Sequence, residues 1–150
     1  LFYEGLPEAD LADRVVAATL PAQLRAADLA MAKRLRTLGA DALGVPRAET
    51  ELAHPAIEFA RIAQHFGVPC EDAIVGHLSA TVNTLTQNAV RGIPIGQSDG
   101  QRVGTAAHAW VEDACRRVWT LEEGDLGMVA PGLEVAQMQH ERLRARMFMS

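Results

Sequence analysis

Apolar residues recur along this chain at steps of three and four, the period of a helix with one buried face. Residues 8–20 place Leu11, Val15 and Leu20 inward and Asp10, Asp13 and Arg14 outward. Pro21 opens a second helix whose expected core stripe is Leu24, Ala27, Met31, Leu35 and Leu38, with Gly39 ending or interrupting it. Gly44-Val45-Pro46-Arg47 reads as a turn. A third helix over 48–66 carries Ala56, Phe59, Ala63 and Phe66, and Gly67-Val68-Pro69 stops it. The fourth, about 71–91, has no Asp, Glu, Lys or Arg between Ala73 and Val90. Its charges, Glu71 and Asp72 at the start and Arg91 at the finish, complement the helix dipole. A helix uncharged all round is normally enclosed by others, so this one is the expected central helix. Its polar residues His77, Asn83, Thr84, Gln87 and Asn88 then require hydrogen-bond partners. The fifth helix sets Val103, Ala107, Trp110, Ala114, Val118 and Leu121 along one face. After a loop from Gly124 to Pro131, a last helix runs from Gly132 towards Arg146. The pattern predicts an all-α fold, a single bundle of about six helices over residues 1–150 with short connections.

Composition agrees. Hydrophobic residues make up 49% of the chain but aromatics only 5%, so Ala, Leu, Val, Ile and Met must build the core, as in packed helices. A net charge of −5 and a pI near 5.5 argue against nucleic acid, whose phosphates call for a basic face. Cys70 and Cys115 are too few for a metal knuckle and read as reduced thiols of a cytoplasmic protein. No apolar run is long and clean enough to span a bilayer.

Between the fourth and fifth helices lies Pro94-Ile95-Gly96-Gln97-Ser98-Asp99-Gly100-Gln101-Arg102. Gly92, just before it, suits a left-handed helix end, and Pro94 suits a first helical turn. A helix from Pro94 puts Gly96, Gly100 and Gly104 on one face, where missing side chains let a second backbone approach. Gln97 and Gln101 form an adjacent amide stripe able to fix register. The competing reading makes Ser98 an N-cap and Gln101 its N3 partner, with the helix starting near Asp99.

Candidate chemistry is sparse. His108, Glu112 and Cys115, at i, i+4 and i+7, are the best metal set, although three ligands on one helix need a second element to close a site. A small helical metal- or cofactor-binding protein using them is the alternative function. A helical enzyme with a buried polar pocket around His77, Asn83 and Asn88 is a third. There is no phosphate-cradling Gly-x-x-x-x-Gly-Lys-Ser/Thr. No nucleophile–base set is evident either, and the expectation is a protein with no catalysis of its own. The C-terminal stretch differs: Arg142, Arg144 and Arg146 alternate with Leu143, Ala145 and Met147 ahead of Phe148. Arginine and aromatic residues are those that anchor interfaces.

The junction Pro-Ile-Gly-Gln-x-x-Gly-Gln-Arg resembles the Pro-Leu-Gly-Gln-x-x-Gly-Gln segment of the urease accessory protein family UreF. Ahead of it, His54-Pro55-Ala56-Ile57, Phe59, Ala60 and Phe66-Gly67-Val68-Pro69 are similar to the family's His-x-Pro helix and the turn that follows it. Behind it, Pro131 and the ending His140-Glu141 through Arg146-Met147-Phe148-Met149-Ser150 resemble the family's terminus. The family's N-terminal signature is absent and the chain starts at Leu1, so the expectation is an N-terminally truncated piece. The resemblance implies a cytoplasmic homodimer that bridges a UreD/UreH-type protein to the nickel-carrying GTPase UreG, so that Ni²⁺ enters the urease apoprotein. Ni²⁺ and GTP would be handled by the partner complex, with no cofactor held by this chain, no nucleic acid and no membrane. It further implies that residues 142–150 order against a partner, with Arg144, Arg146, Phe148, Ser150, His140 and Glu141 as contacts.

Overall fold

The computed structural model describes residues 1–48, 50–127 and 130–143. Six α-helices and two single 3₁₀ turns, Phe2–Glu4 and Glu123–Asp125, account for the regular structure of the described residues, and none of these is a strand. The helices are α1 (Glu8–Ala18), α2 (Ala22–Leu43), α3 (Pro55–His65), α4 (Cys70–Gly92), α5 (Gln97–Val118) and α6 (Pro131–His140). The expected all-α fold is therefore present. By packing, the chain forms two compact units: Leu1–Gly67 with the described residues from Glu122 onward, and Val68–Leu121.

In the first unit, proline and glycine set the helix limits. Residues ahead of proline are pushed out of the helical region, and α1 stops at Ala18, two residues before Leu20-Pro21. Gly39 does not end α2; the helix runs on to Leu43 and closes at Gly44, whose φ of 71° only glycine adopts without strain. Pro55 occupies the first turn of α3, and the His54 ring caps it, Nδ1 accepting the Ala56 N–H at 3.3 Å. With Nδ1 accepting, the proton sits on Nε2, which faces Asp28 Oδ2 of α2 at 3.7 Å.

The seam between α2 and α3 corrects the expected stripe. Met31 and Leu38 are exposed, Leu38 at 53%, and Leu20 is exposed as well. The face turned to α3 carries Asp28 against His54, buried Ala32, Arg36 against Glu58, and Gly39 against Ile62. Two of those four positions are charged, so a search for apolar residues alone turns the helix to the wrong side. Leu11, Ala12 and Ile57 form the small apolar core, with Leu1, Phe2 and Leu6 packed on it. Burial of side chains as large as Leu11 and Ile57 contributes about 1.5–3 kcal/mol each.

The largest fully buried side chain here is a carboxylate. Glu58 is 0% exposed. Its Oε1 accepts from Arg36 Nε at 2.8 Å and Nη2 at 2.6 Å, and its Oε2 from Arg61 Nη2 at 2.5 Å and Nε at 3.1 Å. Arg36 also donates to the Thr50 carbonyl and Arg61 to that of Pro46. Both carboxylate oxygens are thus satisfied, the condition for burying a charge at all. Glu8 of α1 reaches the cluster through one longer contact, 3.5 Å from Arg36 Nη2. Burial and the neighbouring Glu58 charge raise its carboxyl above the ordinary value, against the lowering effect of Arg61 and Arg36.

Candidate functional site

The second unit is a helical hairpin, α4 and α5 joined by the turn Ile93–Gly96. Helix α4 stops at Gly92, and Ile93, the residue before Pro94, is extended with φ −130°. The expected left-handed Gly92 is not found; Gly5, Gly44 and Gly67 are the glycines with positive φ among the described residues. Pro94 lies in the turn, spanned by a 2.7 Å bond from the Ile95 N–H to the Ile93 carbonyl, and does not start α5. The Ser98 capping box does not form either: the N-cap is Gly96, without a side-chain cap, and Ser98 is already helical.

What the hairpin buries is small. Along α5, Gly100, Ala107, Val111 and Cys115 are buried, at steps of seven, four and four. Opposite them, α4 buries Ala73 and Thr86. At Gly100 helix α4 leaves no room for a side chain: a Cβ there would stand 2.6 Å from Val90 Cγ2 and 3.8 Å from Thr86 Cγ2. Nothing lies within 4 Å of a Cβ at Gly96 or Gly104. Of the three glycines in the expected stripe, close approach is therefore a property of Gly100. Gln97 and Gln101 are exposed, as is Pro94.

The large apolar side chains are outside. Trp110 is 72% exposed, Leu85 64% and Trp119 57%, and Val75, Val103 and Leu121 are exposed too. Spacing predicts Val103, Trp110 and Leu121 inside; small residues take the seam instead because they bring two helix backbones together, and the bulky ones turn to the surface. Helix α4 is correspondingly enclosed on one face, its seam with α5. Thr81 and Thr84 need no outside partners, because their hydroxyls donate to the His77 and Ala80 carbonyls of the preceding turn. Asn83 and Asn88 are exposed and His77 half-buried, so the three do not form a buried polar cluster.

The remaining candidates separate. His108 and Glu112 are exposed while Cys115 is buried in the seam. Among the described residues no three His, Cys, Asp or Glu gather to hold a metal ion. His140 and Glu141 turn back onto the chain: Glu141 Oε1 accepts the Gln23 N–H at 2.9 Å, and His140 Nδ1 lies 3.3 Å from Gln23 Oε1. Sequence reasoning missed Gln23, which carries no periodic signal. Arg144, Arg146, Phe148 and Ser150 lie outside the described residues. No helix among the described residues is long and apolar enough to cross a membrane.

Comparison with known proteins agrees with this geometry. A family model for UreF matches residues 8–108. A urease accessory protein UreF of Arthrobacter sp. (strain FB24) is 42% identical over 99% of this chain and 70% of its own length. That of Paenarthrobacter aurescens (strain TC1) is 45% identical over 99% and 70%, and that of Geobacillus kaustophilus (strain HTA426) 40% identical over 98% and 67%. An all-α fold with its bulkiest apolar side chains outside, matched to proteins named for service to urease, defines the class as an accessory protein. The chain belongs to the UreF family.

Proposed function

We propose that this chain is a non-catalytic scaffold that bridges a UreD/UreH-type protein to the GTPase UreG during urease maturation, and that it does so as a homodimer in the cytoplasm. Membership of the UreF family implies the role in maturation. One observation supports the scaffold reading most: the α4–α5 hairpin spends its small residues on its own seam and leaves Trp110, Trp119, Leu85 and Val75 exposed. Exposed tryptophans and a long uncharged helical stretch suit a protein-binding face. Residues 73–90 of α4 carry no charge that would have to be stripped of water when a partner covers them.

In this reading Ni²⁺ is cargo of the assembled complex, destined for the urease apoprotein, and GTP is bound by UreG. The sequence has no phosphate-binding loop of its own. The basic C-terminal segment, with Arg144, Arg146 and Phe148, is the arm that meets the UreD/UreH-type partner. The test is a pull-down of the chain with both partners from the same source, with and without residues 142–150, followed by sizing. A ternary complex that loses its partners when the segment is removed supports the scaffold and the arm together. Failure of the intact chain to hold either partner overturns the reading.

A further inference from the structure

Between the start of α1, the loop after α2 and the end of α3 lies an open cleft of about 620 Å³, wholly within the first unit. Sites of that volume commonly hold small molecules. Pro7, Val45 and Pro46 give it apolar walls. Its deeper polar groups are Glu8 and Arg61, whose side chains are 21% and 11% exposed. The fold leaves bonding capacity on both. Arg61 donates from Nε and Nη2 to Glu58 and from Nη1 to the Pro46 carbonyl. A guanidinium has five N–H groups, so one on each Nη meets no acceptor among the described residues. Glu8 meets Arg36 through Oε1 at 3.5 Å, and its Oε2 meets no donor among the described residues.

The balance of charge selects the ligand. Arg47 and His65, both exposed, stand at the edge of the cleft, and Glu8 is the one acid among its described lining residues. A cationic ligand would meet the charge of Arg61, and an anionic one that of Glu8. Of these two obstacles only the second can be removed, because a carboxylate can take up a proton and a guanidinium cannot lose one. Burial and the Glu58 charge already favour the protonated form of Glu8. We propose that the cleft is a carboxylate-binding site, in which the unused N–H groups of Arg61 donate to the ligand carboxylate and a protonated Glu8 donates a further hydrogen bond to it. The ligand class is a carboxylate on a short apolar body, which Pro7, Val45 and Pro46 cover: a free organic acid or an acidic side chain of a peptide. Binding takes up one proton from solvent onto Glu8. The charged and titratable groups around that carboxyl are Arg36 of α2, Glu58, Arg61 and His65 of α3, and Arg47 of the loop. The site needs no accessory partner, so it stands or falls apart from the scaffold reading.

The test is an NMR titration of the isotope-labelled full chain, following the Arg61 Nε–H signal, with sodium butyrate and with butyramide, its uncharged counterpart of the same shape. Butyrate should shift the signal saturably and butyramide bind several-fold more weakly; equal affinities overturn the proposal. Proton uptake gives the second readout. A histidine also gains charge as pH falls, so this series is run in the His65→Gln chain, at pH values where butyrate is ionised. Affinity should fall by up to about tenfold per pH unit above the folded value of Glu8, the slope of one coupled proton. Arg61 also holds Glu58 and its loss endangers the fold, so the deciding variant is Glu8→Gln, whose amide still donates but cannot titrate. It should bind butyrate with no pH slope. A slope that persists in Glu8→Gln, or none in the chain that keeps Glu8, contradicts the proposal. A third arm replaces butyrate with the blocked peptide acetyl-Ala-Glu-Ala-amide. Tighter binding of the peptide assigns the natural carboxylate to a protein, and tighter binding of butyrate to a free acid. Either order supports the site, and binding of neither overturns it.

Discussion

At the scale of single residues, the first unit is fastened by ions where a small core would usually rely on apolar contacts. Glu58 has no exposed surface and both its oxygens are bound, to Arg36 and Arg61. Removing it strands two guanidiniums in a poorly hydrated site, which costs more than the intact cluster contributes. Glu58→Ala should therefore destabilise the chain by about 3–5 kcal/mol in urea unfolding, far more than a surface carboxylate would. Glu8 behaves oppositely. Its carboxyl is raised from the ordinary 4.5, by burial first and by Glu58 second, so its ionised form is a burden on the folded state. Below the unfolded value both states hold the proton and Glu8 is neutral to stability. As pH rises through the folded value the penalty appears and then stays. Glu8→Gln should match the unaltered protein in acid and become the more stable of the two towards neutral pH; a gap that narrows with rising pH contradicts this sign. None of the cluster was legible in the sequence. Glu58 follows the apolar Ile57 with nothing to mark it as buried, and its partners lie 22 residues upstream in α2 and one turn away in α3.

At the scale of elements, helix existence was legible and helix orientation was not. Pro55 at the start of α3 and the left-handed Gly44 and Gly67 are local signals, carried by the residues that need them. Which face a helix buries depends on its neighbour. In α2 the face is chosen by pairing of Asp28 with His54 and Arg36 with Glu58, and in α5 by the absence of a side chain at Gly100. A stripe of large apolar residues is a guide to the core only when that helix has its large residues inside. Two glycines separate these effects. Gly100→Ala drives a Cβ to 2.6 Å from Val90 and should destabilise the hairpin by about 1–3 kcal/mol. Gly104→Ala, one turn on in the same helix, meets nothing within 4 Å and should stabilise it by roughly 0.5–1 kcal/mol through helix propensity. Thermal unfolding of the two variants checks both; equal shifts of one sign would place the close contact elsewhere.

At the scale of the whole molecule, several large apolar side chains among the described residues are exposed. The motif that carried the family resemblance, Pro94 to Arg102, contributes one tight helix contact at Gly100 and a turn, so the resemblance identified the family through a structural segment. The exposed apolar residues on which the proposed scaffold role rests lay elsewhere, and no sequence pattern reports their exposure: Trp110 reads as core by its spacing and is 72% exposed. Its neighbour Val111, 6% exposed, provides the internal control. The most direct measurement is the mass, by sizing with light scattering, of the assembly formed with the UreD/UreH-type and UreG partners, for the unaltered chain and for Trp110→Ala with Trp119→Ala. The scaffold account predicts that the double variant unfolds at the same temperature as the unaltered chain yet assembles poorly, whereas Val111→Ala loses stability first. A double variant that assembles fully would contradict it, because the exposed tryptophans would then serve no partner.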